Sequence, residues 1–175
     1  MDCMEGIKIL DDKSIDLVII DPPYKLNITK VRHTSNLNNY ANELLDLKDG
    51  FDLKVLDLLI PKMKKINIYI YYSKRQVKEL LDYFMSKDCN YELLTWHKMN
   101  PSPLTNNNYL PDTEYVIFAR EKGVRLYGNY HTKRKYYISG TNQTDKKKYK
   151  HPTIKPLPFI QNHIVNSSNE GDLIL

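Results

Sequence analysis

The chain has 175 residues, a length that suits one domain with a real core, and its net charge of +5 favours a polyanionic partner without requiring one. Its two cysteines, Cys3 and Cys89, exclude a disulfide framework and a cysteine-based metal site, so we predict no metal ion. Since no apolar run approaches the roughly 20 residues of a membrane span and the first residues lack a signal-peptide pattern, we expect a cytoplasmic protein without membrane contact.

Strands and helices alternate in the first half of the chain. Residues 15–20 form a β-branched apolar run that an Asp-Pro-Pro sequence ends, which is typical of a buried strand. Apolar spacing predicts a helix over residues 51–65, ended or kinked by Pro61. Residues 66–72 alternate apolar and polar positions and predict a second strand, and residues 75–86 predict an amphipathic helix.

The second half continues the alternation with shorter elements. Strands are predicted over residues 91–96 and 113–119, a helix over 158–166, and the beginning of a further strand over 173–175. The alternation predicts one α/β domain over residues 1–175, with a mostly parallel, Rossmann-like sheet and helices on both faces. Three segments lack periodicity and are predicted to be loops: residues 25–50, 100–111 and the basic, tyrosine-rich 121–150.

A four-residue motif, Asp-Pro-Pro-Tyr at residues 21–24, directly follows the first predicted strand. Ligands of open α/β sheets bind at the carboxyl ends of the strands. The motif resembles that of the DNA methyltransferases that modify an exocyclic amino nitrogen of adenine or cytosine. Taken alone, such a short motif could be merely a turn that ends a strand.

Further segments resemble the same family and occur in its order. The arrangement is similar to the family's permuted (beta) class, in which the catalytic region precedes a glycine-rich cofactor loop. The resemblance implies a methyltransferase sheet and S-adenosylmethionine as cofactor. The matching segments are residues 11–24, residues 96–101 with 112–116, and residues 151–156 with 171–175.

The resemblance implies a catalytic role for Asp21, Pro22, Pro23 and Tyr24. An exocyclic amine is a poor nucleophile because its lone pair is delocalised into the ring, so acceptors must hold its hydrogens. The Asp21 carboxylate and the Pro22 carbonyl would supply these acceptors, and the two prolines would hold them in place beforehand. Tyr24 would stack on the base once it has left the duplex.

The family's cofactor contacts fall on two segments of this chain. The resemblance implies that Thr153, Lys155 and Pro156 line the S-adenosylmethionine pocket. It also implies that Asp2 and Cys3 correspond to an acidic pair that contacts the adenine of the cofactor. Without the resemblance, the segment that contains Lys155 has an alternative interpretation: a proline-rich connection in which the side chain of Lys155 is solvated.

Residues 121–150 take the place of the family's target-recognition region, and we predict an insertion there. Lysine and arginine side chains would contact the phosphates of double-stranded DNA, although a solvated charged loop is the alternative. The predicted DNA-binding residues are Lys133, Arg134, Lys135, Lys146, Lys147 and Lys148.

His97 either faces a cleft or lies on the surface, and its position in the sequence does not decide between the two.

The residue before Pro-Pro-Tyr bears on the target base. Family members with aspartate there usually methylate adenine at N6, and those with serine methylate cytosine at N4, although the physics accepts either amine. We therefore expect an adenine-specific DNA methyltransferase of a restriction-modification or phage system. The alternatives are an inactive DNA-binding relic, half of a split enzyme, an N4-cytosine methyltransferase, and an enzyme acting on an amide or an RNA base.

The glycine-rich cofactor loop of the family has no counterpart among the six glycines, which are all isolated. We therefore expect a catalytic domain that is incomplete at its C-terminus, binds the cofactor weakly and turns over little by itself. A homodimer, or a partner chain that supplies the missing segment, would complete it. An extension bearing the loop is expected to restore cofactor binding and turnover.

Overall fold

A mixed five-stranded sheet organises the part of the chain that the computed structural model describes, residues 3–25, 49–103, 105, 107–149 and 153–175. Asp2 and nearly all of the predicted loop over residues 25–50 lie outside these ranges. The strand order across the sheet is β1-β2-β4-β3-β5. In chain order the strands are β1 (Val18–Ile20), β2 (Asn67–Tyr72), β3 (Asn90–Lys98), β4 (Thr113–Arg120) and β5 (Tyr136–Ser139).

The expectation of a mostly parallel sheet was wrong. β1 runs parallel to β2, and β3 runs parallel to β5, but β4 is antiparallel to both of its neighbours, β2 and β3. The reason is the connection over residues 99–112, which returns the chain directly from β3 to the strand beside it. A direct return of this kind makes an antiparallel pair, whereas a parallel pair needs a crossover.

Helices pack on both faces of the sheet, which confirms the predicted Rossmann-like α/β arrangement. Pro61 lies in a 3-10 turn, Ile60–Lys62, that follows α2, so the helix predicted over residues 51–65 is shorter than expected. The helices are α1 (Cys3–Lys8), α2 (Lys54–Leu59), α3 (Val77–Met85), α4 (Gln143–Tyr149) and α5 (Leu157–Ser167).

Residues 121–150 contain β5 and α4, so the prediction of a loop without regular structure was wrong for this segment. Helix α4 buries none of its residues, and β5 has only four residues with partly exposed side chains. Neither element therefore shows a hydrophobic period in the sequence. Strand β5 forms because the edge of β3 offers hydrogen-bonding groups, with Trp96 in register with Tyr137.

Strand β2 is buried at all six positions and supplies side chains to two hydrophobic cores. Ile68, Ile70 and Tyr72 contact the core beneath α1, α2 and α3, which we call the α3 face. Tyr69 and Tyr71 contact the core beneath α5, which we call the α5 face. The alternation that predicted this strand therefore marks two buried faces and no solvent-exposed one.

The two cores differ in composition. The α3 face is mainly aliphatic, whereas the α5 face is mainly aromatic. Besides the β2 residues, the α3 face buries Ile7, Ile15, Val18, Leu56, Leu59, Met63, Ile66, Leu80, Phe84, Cys89, Ile117 and Ala119, and the α5 face buries Leu17, Trp96, Val116, Phe118 and Phe159.

Residues 173–175 lie beside β1, in agreement with the predicted beginning of a strand. The backbone N–H of Leu175 donates to the Leu17 carbonyl at 3.0 Å, and that of Ile19 donates to the Leu175 carbonyl at 2.8 Å. The pairing is parallel, with Leu17 opposite Ile174. None of the helices in the described ranges is long and apolar enough to cross a membrane.

Candidate active site at the carboxyl ends of β1 and β2

The Asp-Pro-Pro-Tyr segment leaves β1 directly after Ile20 and is anchored to the turn that follows β2. Gln76, which is 1% exposed, donates from Nε2 to the Pro23 carbonyl at 3.3 Å and accepts at Oε1 from the Lys25 backbone N–H at 3.2 Å. The Ser73 hydroxyl donates to the Lys25 carbonyl at 2.9 Å. These bonds fix the backbone on the carboxyl side of the motif.

Lys155, in the segment that leads into α5, brings the distant end of the chain to this motif. Its Nζ lies 3.0 Å from Asp21 Oδ2, 2.8 Å from Glu114 Oε2 and 3.0 Å from the Tyr24 hydroxyl. The lysine side chain is 10% exposed, whereas that of Asp21 is 39% exposed. The predicted catalytic carboxylate is thus both reachable from solvent and held by a nearly buried cation.

Glu114, at the start of β4, joins two lysines. Its Oε1 lies 2.8 Å from Lys98 Nζ, at the end of β3, and its Oε2 contacts Lys155. Burial by itself would raise the pKa of Glu114, but the ion pairs with Lys155 and Lys98 outweigh it and hold the pKa below its ordinary value. The carboxylate therefore stays ionised between two cations, and sequence reasoning had assigned it no role.

Two tyrosine rings flank the Lys155 ammonium. Its Nζ lies 5.1 Å from the ring centroid of Tyr24 and 5.1 Å from that of Tyr71, within the range of cation–π attraction. Burial, and then the negative charges of Asp21 and Glu114, raise the pKa of both phenols well above the ordinary value. Both hydroxyls therefore remain protonated and neutral.

His163 of α5 packs against Tyr69 and Tyr71 on the α5 face of the sheet. It is 1% exposed, stacks on the Tyr69 ring at 4.1 Å between centroids, and its Nε2 lies 3.3 Å from the Tyr71 hydroxyl. Burial lowers the pKa of His163 to about 3, so the ring is neutral. Sequence reasoning missed this residue, although its position four residues after Phe159 places both on one face of the helix.

The predicted cofactor-lining residues do not all share one location. Lys155 contacts Asp21 and Tyr24, while its neighbour Thr153 is exposed and Pro156 is buried. Cys3 is exposed at the start of α1, a helix that packs on the α3 face through Ile7, and Asp2 lies outside the described residues. The cofactor roles of these residues remain predictions.

The predicted DNA-binding residues fall into two groups. Lys146, Lys147 and Lys148 lie on α4, which buries none of its residues. Lys133, Arg134 and Lys135 line a cavity of about 90 Å³ over the α5 face. Within this second group, Lys135 pairs with Glu92 at 2.5 Å, and Arg134 lies 5.4 Å from the ring centroid of Tyr130.

Both ring nitrogens of His97 have partners within the sheet, which favours a structural interpretation over a catalytic one. Nε2 lies 2.9 Å from the Thr95 hydroxyl, and Nδ1 lies 3.3 Å from the Thr113 hydroxyl. The neighbouring Trp96 is 2% exposed, and its indole N–H donates to the Ser139 hydroxyl at 2.9 Å. The side chain of His97 therefore links β3 to β4, and that of Trp96 links β3 to β5.

Comparisons with known proteins point to one family. The DNA methylase family model matches residues 15–175. The type II methyltransferase M2.MboI of Moraxella bovis is 25% identical over 194 aligned residues, covering 99% of this chain and 71% of that protein. M.HpaI of Haemophilus parainfluenzae is 26% identical, with 98% of this chain and 60% of that protein covered.

Solved structures show the same fold. The crystal structure of the M1.HpyAVI–SAM complex has a TM-score of 0.66 at 21% identity and covers 99% of this chain and 78% of that one. The cytosine-N4-specific PvuII DNA methyltransferase has a TM-score of 0.68 at 15% identity and covers 99% of this chain and 71% of that one. At these identities the likeness establishes the fold alone.

Proposed function

The chain belongs to the N6/N4 family of DNA methylases, and we propose that it transfers the methyl group of S-adenosylmethionine to the exocyclic N6 amine of adenine in DNA. Its curated relatives are named type II methyltransferases, which supports a place in a restriction-modification system. The observation that carries the proposal is the position of Asp21, partly exposed at the carboxyl end of a strand that runs parallel to its neighbour β2.

Asp21 and Pro22 are the proposed acceptors for the two hydrogens of the target amine. Holding those hydrogens draws the nitrogen toward tetrahedral geometry and frees its lone pair. The acceptors need to be in place before the base arrives, because preorganised polar groups cost no reorganisation during the reaction. The bonds from Gln76 to the Pro23 carbonyl and from Ser73 to the Lys25 carbonyl support such preorganisation.

Tyr24 is the proposed stacking surface for the base, which must leave the duplex to expose its amine. The high pKa of this phenol keeps the ring neutral, and a neutral aromatic ring is a suitable surface for a base to stack on. The amine would give up one proton to water as the new N–C bond forms and the S–C bond of the sulfonium breaks, which would leave a neutral thioether.

Two aromatic rings of the site are of the kind that attracts a cationic cofactor. Tyr24 and Tyr71 already lie with their ring centroids 5.1 Å from one cation, the Lys155 ammonium. S-adenosylmethionine, when bound, supplies an electrophilic methyl group on a sulfonium. On the segment beside Lys155, Thr153 and Pro156 are the proposed wall of its pocket, and Asp2 with Cys3 are the proposed contacts to its adenine.

Double-stranded DNA is the proposed substrate, and α4 with the segment before β5 is the proposed contact surface. Three successive lysines on an exposed helix suit phosphate contacts, which position a duplex without reading its sequence. Lys133 and Arg134, which precede β5 in the chain, are proposed to make further phosphate contacts. Lys135 contributes less, because its ammonium is paired with Glu92.

The experiment that tests the function follows tritium from labelled S-adenosylmethionine into unmethylated genomic DNA. We expect N6-methyladenine among the digested nucleosides, and we expect Asp21→Ala to slow transfer by about 10²–10³-fold, the usual cost of removing one preorganised hydrogen-bonding group. Asp82→Ala, which removes an exposed aspartate from α3, is the matched control and should transfer at the wild-type rate.

Each other outcome has a distinct meaning. N4-methylcytosine as the product would overturn the assignment of adenine while keeping the reaction. Salt-sensitive DNA binding with no methyl transfer, either by the wild-type chain or by the chain extended with a glycine-rich loop, would overturn catalysis in favour of a DNA-binding role, and Asp21→Ala should then leave DNA binding unchanged. Calorimetric titration with S-adenosylmethionine measures cofactor binding separately from turnover.

A further inference from the structure

The Lys155 ammonium makes a complete set of contacts at the candidate site. An ammonium has three N–H donors, and three acceptors lie within 3.0 Å of this one: Asp21 Oδ2, Glu114 Oε2 and the Tyr24 hydroxyl. Two of these three acceptors belong to the Asp-Pro-Pro-Tyr motif. With 10% of its side chain exposed, Lys155 is far less solvated than a surface lysine.

We propose that Lys155 is a positioning residue for methyl transfer. It fixes one carboxylate oxygen of Asp21 together with the Tyr24 hydroxyl, and it leaves the second Asp21 oxygen to accept a hydrogen of the target amine. This inference rests on the proposed function of the chain. It places Lys155 on the side of the target base instead of in the wall of the cofactor pocket.

Geometry favours this role over a simple surface ion pair. Exposed pairs constrain their side chains weakly, since water competes for both partners. Here the ammonium of Lys155, on the approach to α5, contacts residues from two other parts of the chain: the end of β1 and the start of β4. Rotation of the Asp21 carboxylate would break its contact with the same ammonium that donates to the Tyr24 hydroxyl.

Glu114 has a defined part in the arrangement. It holds Lys155 at 2.8 Å on one oxygen and Lys98 at 2.8 Å on the other. Together the two carboxylates, of Asp21 and Glu114, balance the two ammonium groups. Without Glu114, the excess positive charge beside the reacting amine would oppose the charge that the amine develops as it gains a methyl group.

The test compares Lys155→Met, Lys155→Arg and Glu114→Gln with the wild type. Initial rates of tritium transfer to unmethylated genomic DNA are measured over a range of S-adenosylmethionine concentrations. We expect Lys155→Met to lower the saturating rate at least about tenfold, as misplaced reacting groups do, with the KM for the cofactor within about twofold. Lys155→Arg, which keeps the charge and several donors, should recover much of the rate.

Two controls separate positioning from a loss of folding. Lys78→Met removes an exposed lysine of α3 that pairs with Asp82, and it should leave the saturating rate unchanged. Thermal melting shows whether Lys155→Met folds. If it does not, Glu114→Gln provides the test, because it keeps the size of the side chain and removes only the charge that holds Lys155, and it should also lower the saturating rate.

Three results would overturn the inference. A saturating rate for Lys155→Met equal to that of the wild type would make the contact an ordinary ion pair. A raised cofactor KM with an unchanged saturating rate would return Lys155 to the cofactor pocket. Absence of methyl transfer both by the wild-type chain and by the same chain extended with a glycine-rich cofactor loop would overturn the proposed function itself, and this inference with it; transfer by the extended chain alone moves the comparison of variants to that chain.

Discussion

The two faces of the sheet bury side chains of different chemistry, and the α3 face buries more of them than the α5 face. On the α3 face, β2 contributes Ile68 and Ile70, whose alkyl side chains pack beneath the helices. On the α5 face, the same strand contributes Tyr69 and Tyr71, each with a hydroxyl that has a buried hydrogen-bond partner. One strand therefore serves an apolar core and a polar network at once.

The difference shows how this fold supports a charged site. The α3 face stabilises the sheet through apolar burial, which is insensitive to charge and pH. The α5 face links the site to the helix behind it, because Tyr71 contacts both the Lys155 ammonium and His163. Substitutions on the α3 face should therefore change stability alone, whereas substitutions on the α5 face should change how stability depends on pH and polar contacts.

The largest effect on stability is expected from Phe84→Ala on the α3 face. Phe84 is fully buried and packs edge-on against Tyr83. Its truncation leaves a cavity, so unfolding in urea should show a loss of about 3–5 kcal/mol. Met85→Ala, at the exposed next position of α3, is the control and should change stability by no more than about 0.5 kcal/mol. Equal losses would contradict the assignment of this face as the main apolar core.

A smaller, pH-dependent effect is expected from His163 on the α5 face. Burial holds its folded pKa at about 3, below the ordinary 6.5, so between these values the unfolded chain binds a proton that the folded chain does not. The contribution of the neutral His163 to the free energy of unfolding is therefore complete above pH 6.5, and it is lost as the pH falls toward 3. The contribution of His163 to this fall should be about 2 kcal/mol between pH 7 and pH 5.

The check on this prediction is His163→Phe, which removes the titrating group and keeps an aromatic ring against Tyr69. Urea unfolding of both proteins at pH 7, 6 and 5 measures the contribution as the difference between their slopes. Parallel pH dependence in the two proteins would show that His163 is solvated, contrary to its 1% exposure.

The smallest effect is expected from Tyr69→Phe, also on the α5 face. The Tyr69 hydroxyl lies 2.7 Å from that of Ser167, and both residues are buried. Loss of this one bond should cost about 1 kcal/mol at neutral pH. Ser167→Ala and the double variant complete a cycle that isolates the pairwise energy. Strict additivity of the two single changes would contradict the bond.

How far the fold could be predicted depended on the length and burial of each element. Strand β2 and helices α3 and α5 showed clear apolar patterns, and the sequence placed each within about two residues, the usual uncertainty of such boundaries. β5 and α4 carry no such pattern, because both are short and little buried. The direction of β4 was missed because strand–helix alternation does not reveal a direct return between neighbouring strands.

The candidate site divides in the same way. Asp21, Pro22, Pro23 and Tyr24 are adjacent in the chain, so a local motif after a buried strand was enough to find them. Glu114 and Lys155 lie far from them in sequence; Lys155 and Tyr24 are separated by 131 positions. The resemblance singled out Lys155 as a cofactor residue but did not predict its contacts with Asp21 and Tyr24, and nothing in the local sequence distinguishes Glu114 from other charges. The ion pairs are made only when β4 and the approach to α5 meet β1.

By itself the sequence determined the local features of this protein: strand β1, the stiff Asp-Pro-Pro-Tyr motif after it, and the apolar stripes of α3 and α5. Rotamer limits, proline geometry and hydrophobic periodicity act over a few residues, so they can be read from a single segment. Only the tertiary structure decided which charges meet, that Gln76 anchors the motif, and that His163 is buried neutral. Those properties depend on burial and on distances between segments remote in the chain, and folding alone sets both.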